Sequence, residues 1–347
     1  MSSMSSLLEQ EIASQPDVIA RLLASEMERI RAIIAQLPPF NFALIAARGS
    51  SDHAALYATY AWAALAGIPV ALATPSLYTL YHAAPRLDGA LVVGVSQSGA
   101  SPDILAVLEE GKRQGRPTLA ITNDGASPLA AAADHVVELH AEAERSVAAT
   151  KTYTAQLAVI AAFAALWSGE PEHRAELERL PAYVAATLAN TGEIAQRAAR
   201  YCDMRDCVVI GRGYNYATAF ELALKLKELT YTMAIPYSSA DFRHGPIATI
   251  ESGSPTILIM PGGAVFDDML DLAHDLRRRN ADLLVISEAP QALALATTPL
   301  PMPGPAPEWL SPLAAIAPGQ ILALHLALAK GADPDAPRGL HKVTRTL

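Results

Sequence analysis

Cysteine is scarce in this chain, and its scarcity excludes several classes of protein. Only Cys202 and Cys207 occur in 347 residues, and their five-position separation fits no common zinc-binding spacing. Two cysteines also exclude the disulfide framework of small secreted proteins. Charged residues make up only 18% of the chain, whereas 51% of it is hydrophobic. A chain of this composition can bury large cores, so we expect a folded, soluble protein with two domains or one duplicated unit.

Basic clusters and long apolar stretches are also lacking. The formal net charge is −9, and the nearest approach to a basic cluster is Arg277-Arg278-Arg279, which we interpret as the solvated end of a helix. Nucleic-acid binding needs a concentrated basic face, so no nucleic-acid partner is predicted. The first six residues lack the basic and apolar regions of a signal peptide, and we expect no unbroken apolar run of membrane-spanning length. These absences predict a cytoplasmic protein that does not bind membranes.

The spacing of apolar residues alternates between that of helices and that of strands. Residues 7–37 have the three- and four-residue spacing of a helix, which Pro38-Pro39 would end. Beyond this point short apolar runs alternate with helical segments such as residues 52–66. The predicted strands are residues 42–46, 69–73, 90–95, 117–121 and 135–139. Because single helices separate them, the strands should pair in parallel, as in an α/β fold.

The most informative stretch is the serine-rich loop from Ser96 to Ser101, between the apolar run 90–95 and a helical segment that starts with Pro102. Backbone N–H groups at a helix start lack helical partners and favour an anion. Uncharged side-chain donors are added by Ser96, Gln97, Ser98 and Ser101. The loop lacks the Walker and dinucleotide-binding patterns, so we interpret it as a seat for a phosphate that is held but not attacked. The alternative is that Ser101 only caps the helix and the other serines only form a turn.

The second half of the chain repeats landmarks of the first at an offset of about 164 positions. Residues 207–213 align with 43–49, residues 256–263 with 92–99, and residues 283–286 with 119–121. Three landmarks at one offset indicate a duplicated unit. Pro261-Gly262-Gly263 stands in the second copy where the first has Gln97-Ser98-Gly99. We therefore expect the second copy to have lost the phosphate donors.

Motifs along essentially the whole chain resemble those of the sugar isomerase (SIS) family, and within it the isomerase half of glucosamine-6-phosphate synthases. In chain order they are Glu11-Ile12 with Gln15-Pro16, Gly49-Ser50-Ser51, Ser96 to Ser101, Val147-Ala148-Ala149-Thr150-Lys151, Glu221 to Glu228, Arg243-His244-Gly245-Pro246 and Pro337-Arg338-Gly339-Leu340-His341-Lys342. The resemblance implies two tandem doubly wound, flavodoxin-like parallel-sheet SIS units with an N-terminal helical segment and an ordered C-terminal tail. The implied bounds are 1–37 for the helical segment, 38–180 and 200–330 for the SIS domains, and 331–347 for the tail.

The resemblance also implies a role for each matched residue. The sugar phosphate would bind Ser51, Ser96, Gln97, Ser98 and Ser101, although Ser51 taken alone is typical of a helix cap. The implied catalytic residues are Glu228, His244, Lys342 and Lys225. The implied sugar-binding residues are Val147, Ala148, His341 and Glu221.

Glu221, Lys225 and Glu228 share one helix face by their spacing. Such a trio is ordinarily a surface salt-bridge stripe, but the positions between them are almost all apolar, which favours a buried helix whose charges have a function. By resemblance, Glu228 is the base that moves a proton between C1 and C2 of the sugar, and Lys225 assists at the sugar oxygens. Glu221 would support them, and Lys227 would be solvated.

His244 and Lys342 would have plain interpretations on their own, as a turn residue and as a cation in a flexible tail. By resemblance, His244 opens the sugar ring and comes from the neighbouring subunit of a homodimer. Lys342 would form a Schiff base with an open-chain ketose phosphate or pair with its oxygens. Gly339 and His341 stand where the synthases usually have Asn and Ala, so the substrate preference stays open.

The resemblance favours one reaction and leaves alternatives. Ser2 follows Met1 where the synthases have the cysteine nucleophile of a glutaminase domain, so we expect no glutamine-derived ammonia from this chain. The expected enzyme is an amino-sugar-phosphate deaminase and aldose-ketose isomerase, which converts glucosamine 6-phosphate to fructose 6-phosphate and ammonia or runs in reverse. The alternatives are a fructosamine-6-phosphate deglycase, a plain phosphosugar isomerase and a non-catalytic phosphosugar-binding module. No metal site and no cofactor are predicted.

Overall fold

The computed structural model describes residues 5–342. In this range the strands are β1 (Phe42–Ala46), β2 (Val70–Leu72), β3 (Ala90–Ser96), β4 (Thr118–Thr122), β5 (His135–Glu138), β6 (Asp206–Gly211), β7 (Met233–Ser238), β8 (Pro255–Ile259), β9 (Asp282–Ser287) and β10 (Thr298–Pro301). The α-helices are α1 (Leu7–Ala13), α2 (Gln15–Gln36), α3 (Ser50–Ala66), α4 (Ser76–Thr79), α5 (Pro102–Arg113), α6 (Pro128–Ala132), α7 (Lys151–Ser168), α8 (Pro171–Glu178), α9 (Leu180–Ala189), α10 (Ile194–Ala198), α11 (Tyr216–Thr230), α12 (Ser239–Arg243), α13 (Phe266–Arg278), α14 (Pro290–Leu293) and α15 (Ser311–Ala329). Short 3₁₀ turns cover Ala199–Tyr201, Gly213–Asn215, Pro246–Thr249 and Glu308–Leu310. All of the strands predicted in the first half are present.

The strands form two five-stranded parallel sheets with the same internal order. The first sheet has the order β2-β1-β3-β4-β5 and the second β10-β9-β8-β6-β7. Numbered within its own half, each sheet has the order 2-1-3-4-5 of the flavodoxin-like doubly wound fold. The predicted α/β class and the predicted tandem of doubly wound sheets are therefore confirmed.

Each sheet has one point where the strand order reverses. In the first sheet this point lies between β1 and β3, where Ala46 is opposite Gly94 near the carboxyl ends of both strands. In the second sheet it lies between β6 and β8, with Ile210 opposite Leu258. Doubly wound sheets bind their ligands outside the carboxyl ends of the strands at this point. The loops that follow β1, β3, β6 and β8 therefore lie where such a sheet binds a ligand.

The chain divides into two compact units that do not follow chain order. Within the described residues, the first-sheet unit contains residues 17–144, 151–179 and 341–342, and the second-sheet unit contains residues 5–16, 145–150 and 180–340. Helix α1 therefore belongs with the second sheet, and Lys342 belongs with the first.

The segment predicted as helical, residues 7–37, is helical from Leu7 to Gln36, but it is two helices, because Ser14 interrupts it between α1 and α2. Pro16 has no backbone N–H and cannot donate to the carbonyl of Ile12. The side chain of Gln15 donates to that carbonyl instead, at 2.9 Å. The Gln-Pro pair of the first matched motif thus marks the helix break.

Helix α3 is fixed within the first-sheet unit by α7. The indole N–H of Trp62 donates to the carbonyl of Ile160 at 2.9 Å, and its ring meets Trp167 edge-on with the centroids 4.9 Å apart. Trp62 and Ile160 are fully buried. This packing holds the first turn of α3, which contains Ser51, at the carboxyl end of β1.

Helix α15 is the central helix of the second-sheet unit. Within the described residues, the segment Glu308–Ala329 is long and apolar enough to cross a bilayer, so the expectation that no such run exists was wrong. Pro318 lies inside α15 without ending it, and 83% of the most apolar part is buried inside the protein, as in a core helix. A Cβ on Gly319 would lie 2.8 Å from Cδ1 of Leu222. The glycine therefore lets α11 cross α15 closely, which fixes the position of α11.

Candidate functional site

The loop between β3 and α5 is a tight turn that only glycine can complete. Ser96 ends the buried strand β3, and its Oγ accepts the N–H of Gly99 at 3.1 Å. Gly99 has φ of 60°, and a Cβ there would lie 2.1 Å from Oγ of Ser127. The carbonyl of Gly99 accepts the N–H of Leu129 at 3.0 Å. The loop is therefore folded against the start of α6, and its shape depends on Gly99.

Two serines of this loop keep hydroxyl groups at the start of α5. Ser101 is the N-cap residue of α5, but its side chain makes no capping hydrogen bond. Ser98 accepts the N–H of Ala100 at 3.3 Å. Both serines and Gln97 are half-buried, and neither serine hydroxyl donates to another described residue. The capping alternative for Ser101 explains its position but not its unused hydroxyl, whereas phosphate binding explains both.

Ser51 lies inside the first turn of α3. The N-cap of α3 is Gly49, so the cap interpretation of Ser51 is wrong. Its Oγ accepts the side-chain N–H of Gln156 at 3.0 Å, and both residues are buried. Gln156, which sequence reasoning missed, therefore orients the hydroxyl of Ser51.

Arg48 connects the two loops at the carboxyl edge of the first sheet. Its Nε donates to Oδ2 of Asp103 at 2.7 Å; Asp103 is fully buried in the first turn of α5, whereas Arg48 is about half exposed. A guanidinium thus lies next to a loop whose predicted donors are all uncharged. Sequence reasoning missed this residue, although it directly precedes the Gly49-Ser50-Ser51 motif. Burial raises the pKa of the neighbouring Asp52, and His53 and Arg48 oppose that shift.

Glu221, Lys225 and Glu228 meet on one face of α11. Nζ of Lys225 lies 3.3 Å from Oε1 of Glu221 and 2.7 Å from Oε2 of Glu228. The side chains of Glu221 and Lys225 are 0% and 1% exposed, whereas that of Glu228 is 22% exposed. The surface-stripe interpretation is therefore wrong, and Lys227 is exposed as predicted.

The charges of this trio determine what each member can do. Burial alone would lower the pKa of Lys225, but the carboxylates of Glu221 and Glu228 outweigh burial and raise it. Lys225 is therefore a fixed ammonium, not a proton acceptor. Glu228 lies in the last turn of α11, with its Oε2 2.7 Å from that ammonium. Because Glu228 alone of the three reaches the surface, it can act as a base toward a bound molecule.

The loop that contains Val147 and Ala148 is held by Glu11 of α1. The carboxylate of Glu11 accepts the N–H of Arg145 at 2.5 Å and that of Ser146 at 3.2 Å, and it also accepts the Ser146 hydroxyl. Ala148 is buried and Val147 is half-buried. This is a structural role for the first matched motif that sequence reasoning missed, because nothing in the sequence connects Glu11 with Ser146.

The remaining predicted residues lie in a short helix end and in the C-terminal tail. His244 directly follows α12 as its C-cap and is exposed, as is His341. Among the described residues, the side chain of His244 bonds to no other predicted site residue. Nζ of Lys342 donates to Oε2 of Glu144 at 2.8 Å, so Lys342 is a held residue and not a loose tail cation. The structure thus places Glu221, Lys225 and Glu228 in contact with one another. It places the predicted donors from Ser96 to Ser101 in one loop. The roles of all these residues stay predictions.

Known proteins match this chain in sequence. The model of the SIS domain matches residues 41–166 and 202–326. The glutamine–fructose-6-phosphate aminotransferase (isomerizing) of Methanothermobacter thermautotrophicus is 34% identical over 335 residues, which cover 96% of this chain and 56% of that protein. The enzyme of the same name from Thermococcus kodakarensis is 33% identical over 342 residues, which cover 96% and 57%. The chain thus spans a little more than half the length of these relatives.

Solved structures match it as well. The C-terminal domain of glucosamine-fructose-6-phosphate aminotransferase from Francisella tularensis has a TM-score of 0.87 and 26% identity, and the match covers 96% of this chain and 99% of that one. Glucosamine-6-phosphate deaminase from Thermotoga maritima, with a TM-score of 0.81 and 21% identity over 98% of this chain and 100% of that one, is similar in fold. The two segments matched by the family model fall one on each sheet and together make up well over half of the sequence. The chain therefore belongs to the SIS domain family, with one SIS domain built on each of its two sheets.

Proposed function

We propose that this protein is a phosphosugar deaminase and aldose-ketose isomerase that converts glucosamine 6-phosphate and water to fructose 6-phosphate and ammonia, or catalyses the reverse reaction. The observation that carries the proposal is the buried group of Glu221, Lys225 and Glu228, from which Glu228 alone reaches the surface. Burying three charges is unfavourable, and such groups are typical of active sites. A module that only senses a phosphosugar needs the serine loop but not this group.

In the proposed reaction the serine loop and Ser51 hold the phosphate. Each charge-assisted hydrogen bond contributes about 1.5–3 kcal/mol, so a few of them anchor a small sugar. His244, contributed by the neighbouring subunit of a homodimer, opens the ring. The carboxylate of Glu228 then removes the proton from C2 of the open-chain amino sugar and returns it to C1. Water hydrolyses the resulting C2 imine, which releases ammonia and leaves the ketone.

Lys342 completes the proposed site. Its amine pairs with the sugar oxygens or forms a Schiff base at C2 of the ketose, and a positive charge there makes the neighbouring C–H bond more acidic. Lys225 stays charged throughout, because its two carboxylate neighbours raise its pKa. The names of the sequence relatives, which specify fructose 6-phosphate, support the choice of sugar.

The decisive experiment measures ammonia release by the purified protein from glucosamine 6-phosphate, galactosamine 6-phosphate and a fructosamine 6-phosphate. We expect ammonia and fructose 6-phosphate in equal amounts from the first substrate. Turnover of the fructosamine phosphate alone would contradict the proposal in favour of a deglycase. Sugar interconversion without ammonia would contradict it in favour of a plain isomerase.

The role of the base is tested by Glu228→Gln. General-base catalysis contributes about 10²–10⁴-fold, so the exchange of the C1 and C2 protons with solvent, followed by NMR in D₂O, should fall by at least about 100-fold. Binding of inorganic phosphate at the serine loop should be nearly unchanged. The matched control is Lys227→Gln on the same helix, because Lys227 is exposed. Loss of phosphate binding together with exchange would mean that Glu228 is structural.

A further inference from the structure

Glu144 is a carboxylate without exposed surface in the segment that precedes α7. Its side chain is 0% exposed. Oε1 accepts the backbone N–H of Thr152 at 3.1 Å, and Oε2 accepts the Thr152 hydroxyl at 2.6 Å. Thr152 lies in the first turn of α7, where unpaired N–H groups and the helix dipole favour a carboxylate. These bonds fix Glu144 at the start of a long buried helix.

The same carboxylate binds the amine of Lys342. Nζ of Lys342 lies 2.8 Å from Oε2 of Glu144, and the lysine side chain is 26% exposed. The two residues are 198 positions apart in the sequence but belong to one compact unit. A buried carboxylate is stabilised more by a cation than by neutral donors alone. Lys342 therefore places a positive charge against Glu144, and Glu144 fixes the end of a long side chain.

We propose that Glu144 is a positioning residue, which holds the amine of Lys342, and with it the tail around that lysine, in place through an ion pair made rigid by Thr152. An amine that is fixed before the sugar arrives loses less freedom in the reaction. The inference rests on the proposed function for the chemical role of the amine. The ion pair and the order of the tail are independent of that reaction.

A carboxylate in this position could serve only to cap α7. Two variants distinguish such a cap from a residue that also positions Lys342. In Glu144→Gln the side-chain carbonyl can still accept the N–H of Thr152, but the charge that binds Lys342 is gone. Glu144→Ala loses both the cap and the ion pair. The matched control is Glu142→Gln, two positions earlier, where the side chain is 74% exposed.

Hydrogen exchange followed by mass spectrometry tests the ion pair directly. In Glu144→Gln the C-terminal peptide that contains residues 339–342 should exchange at least about tenfold faster than in the wild type, because a buried pair is broken, while peptides of α7 stay protected. Glu144→Ala should loosen both regions, and Glu142→Gln neither. Wild-type exchange of residues 339–342 in Glu144→Gln would overturn the proposal. Equal loosening of α7 in that variant would reduce Glu144 to a cap and overturn it as well.

Steady-state kinetics test the consequence for catalysis. We expect Glu144→Gln to lower kcat for ammonia release about tenfold and to leave KM within about twofold, because a different loop holds the phosphate. An unchanged kcat together with a loosened tail would overturn the positioning role. If the wild type releases no ammonia from any amino-sugar phosphate, the proposed function fails, and the exchange experiment still decides whether Glu144 orders the tail.

Discussion

The loops that follow β3 and β8 are copies of each other, and they differ in what their side chains offer. The first runs from Ser96 to Ser101, with a hydroxyl at both ends. At the offset of 164 positions, Met260 and Val265 occupy the equivalent ends of the second loop. Both loops precede a helix of at least twelve residues, so both present backbone N–H groups that favour an anion.

The second loop satisfies this preference with carboxylates of its own unit. The N–H of Gly262 donates to Oε1 of Glu288 at 2.8 Å, and the N–H of Ala264 donates to Oε2 of Glu308 at 2.8 Å. In the first loop, serine hydroxyls accept the N–H groups of Gly99 and Ala100 instead. The duplicated backbone therefore favours an anion in both copies. Nearby side chains determine whether the protein itself supplies that anion, and we therefore expect the phosphate ligand at the first loop only.

Replacing Gly99, or its counterpart Gly263, by alanine should produce the largest difference between the effects of changing the two loops. A Cβ on Gly99 would lie 2.4 Å from Cβ of Ser127, which cannot move without α6. A Cβ on Gly263, whose φ is 147°, would lie 2.2 Å from the carboxyl carbon of Glu308 and would distort only the second loop. Gly99→Ala should lower stability by about 1–3 kcal/mol and kcat/KM by at least about 100-fold, because several phosphate bonds depend on this turn. Gly263→Ala should leave kcat/KM within about threefold. Equal losses of turnover in both variants would remove the functional difference between the loops.

Ser101→Ala distinguishes a phosphate ligand from a helix cap. Because the Ser101 hydroxyl makes no capping bond, we expect the free energy of unfolding to change by less than about 0.5 kcal/mol. The KM for the phosphosugar should rise about tenfold or more, since a charge-assisted bond is lost. A stability loss of about 1 kcal/mol with an unchanged KM is the signature of a cap and would contradict the assignment. Thermal unfolding and steady-state kinetics on the same preparation decide between them.

Glu308→Gln tests whether the second loop holds its own anion. Gln can still accept the N–H of Ala264, but its charge is lost, so stability should fall by about 0.5–1.5 kcal/mol, the difference between a charged and a neutral acceptor. Turnover should not change, because Glu308 lies at the loop without serines. Added sulfate should raise the Tm of Glu308→Gln, because sulfate can replace the lost negative charge at the second loop. The rise should be smaller in the double variant that also contains Gly263→Ala, because the alanine distorts this loop. An equal rise in both would mean that sulfate acts elsewhere.

The sequence was sufficient for the features that depend on neighbouring residues. Each strand of the first half begins and ends within one residue of its predicted bounds. The local pattern predicted the turn from Ser96 to Ser101, and spacing placed Glu221, Lys225 and Glu228, which the resemblance had singled out, on one helix face. Partners distant in sequence were missed, such as Asp103 for Arg48 and Gln156 for Ser51, because no local pattern records them. The interruption of the first helix was missed because helical spacing persists across it. The domain bounds, the homodimer with His244 in trans and the cytoplasmic location stay predictions.

The smallest expected difference between the copies is in their response to pH. Burial raises the pKa of Asp52 in the first turn of α3, against the opposing effect of His53 and Arg48. At the equivalent position the second copy has Tyr216. A carboxyl group with a higher pKa in the folded state stabilises the fold below its unfolded pKa, and this contribution is lost as pH rises through the folded pKa. The free energy of unfolding should therefore decrease as pH rises through the range just above the ordinary pKa of aspartate. Asp52→Asn should flatten this part of the pH dependence. Urea unfolding at several pH values measures both. Tyr216→Phe should leave the curve unchanged there, and an identical slope in Asp52→Asn and the wild type would show that Asp52 contributes nothing to it.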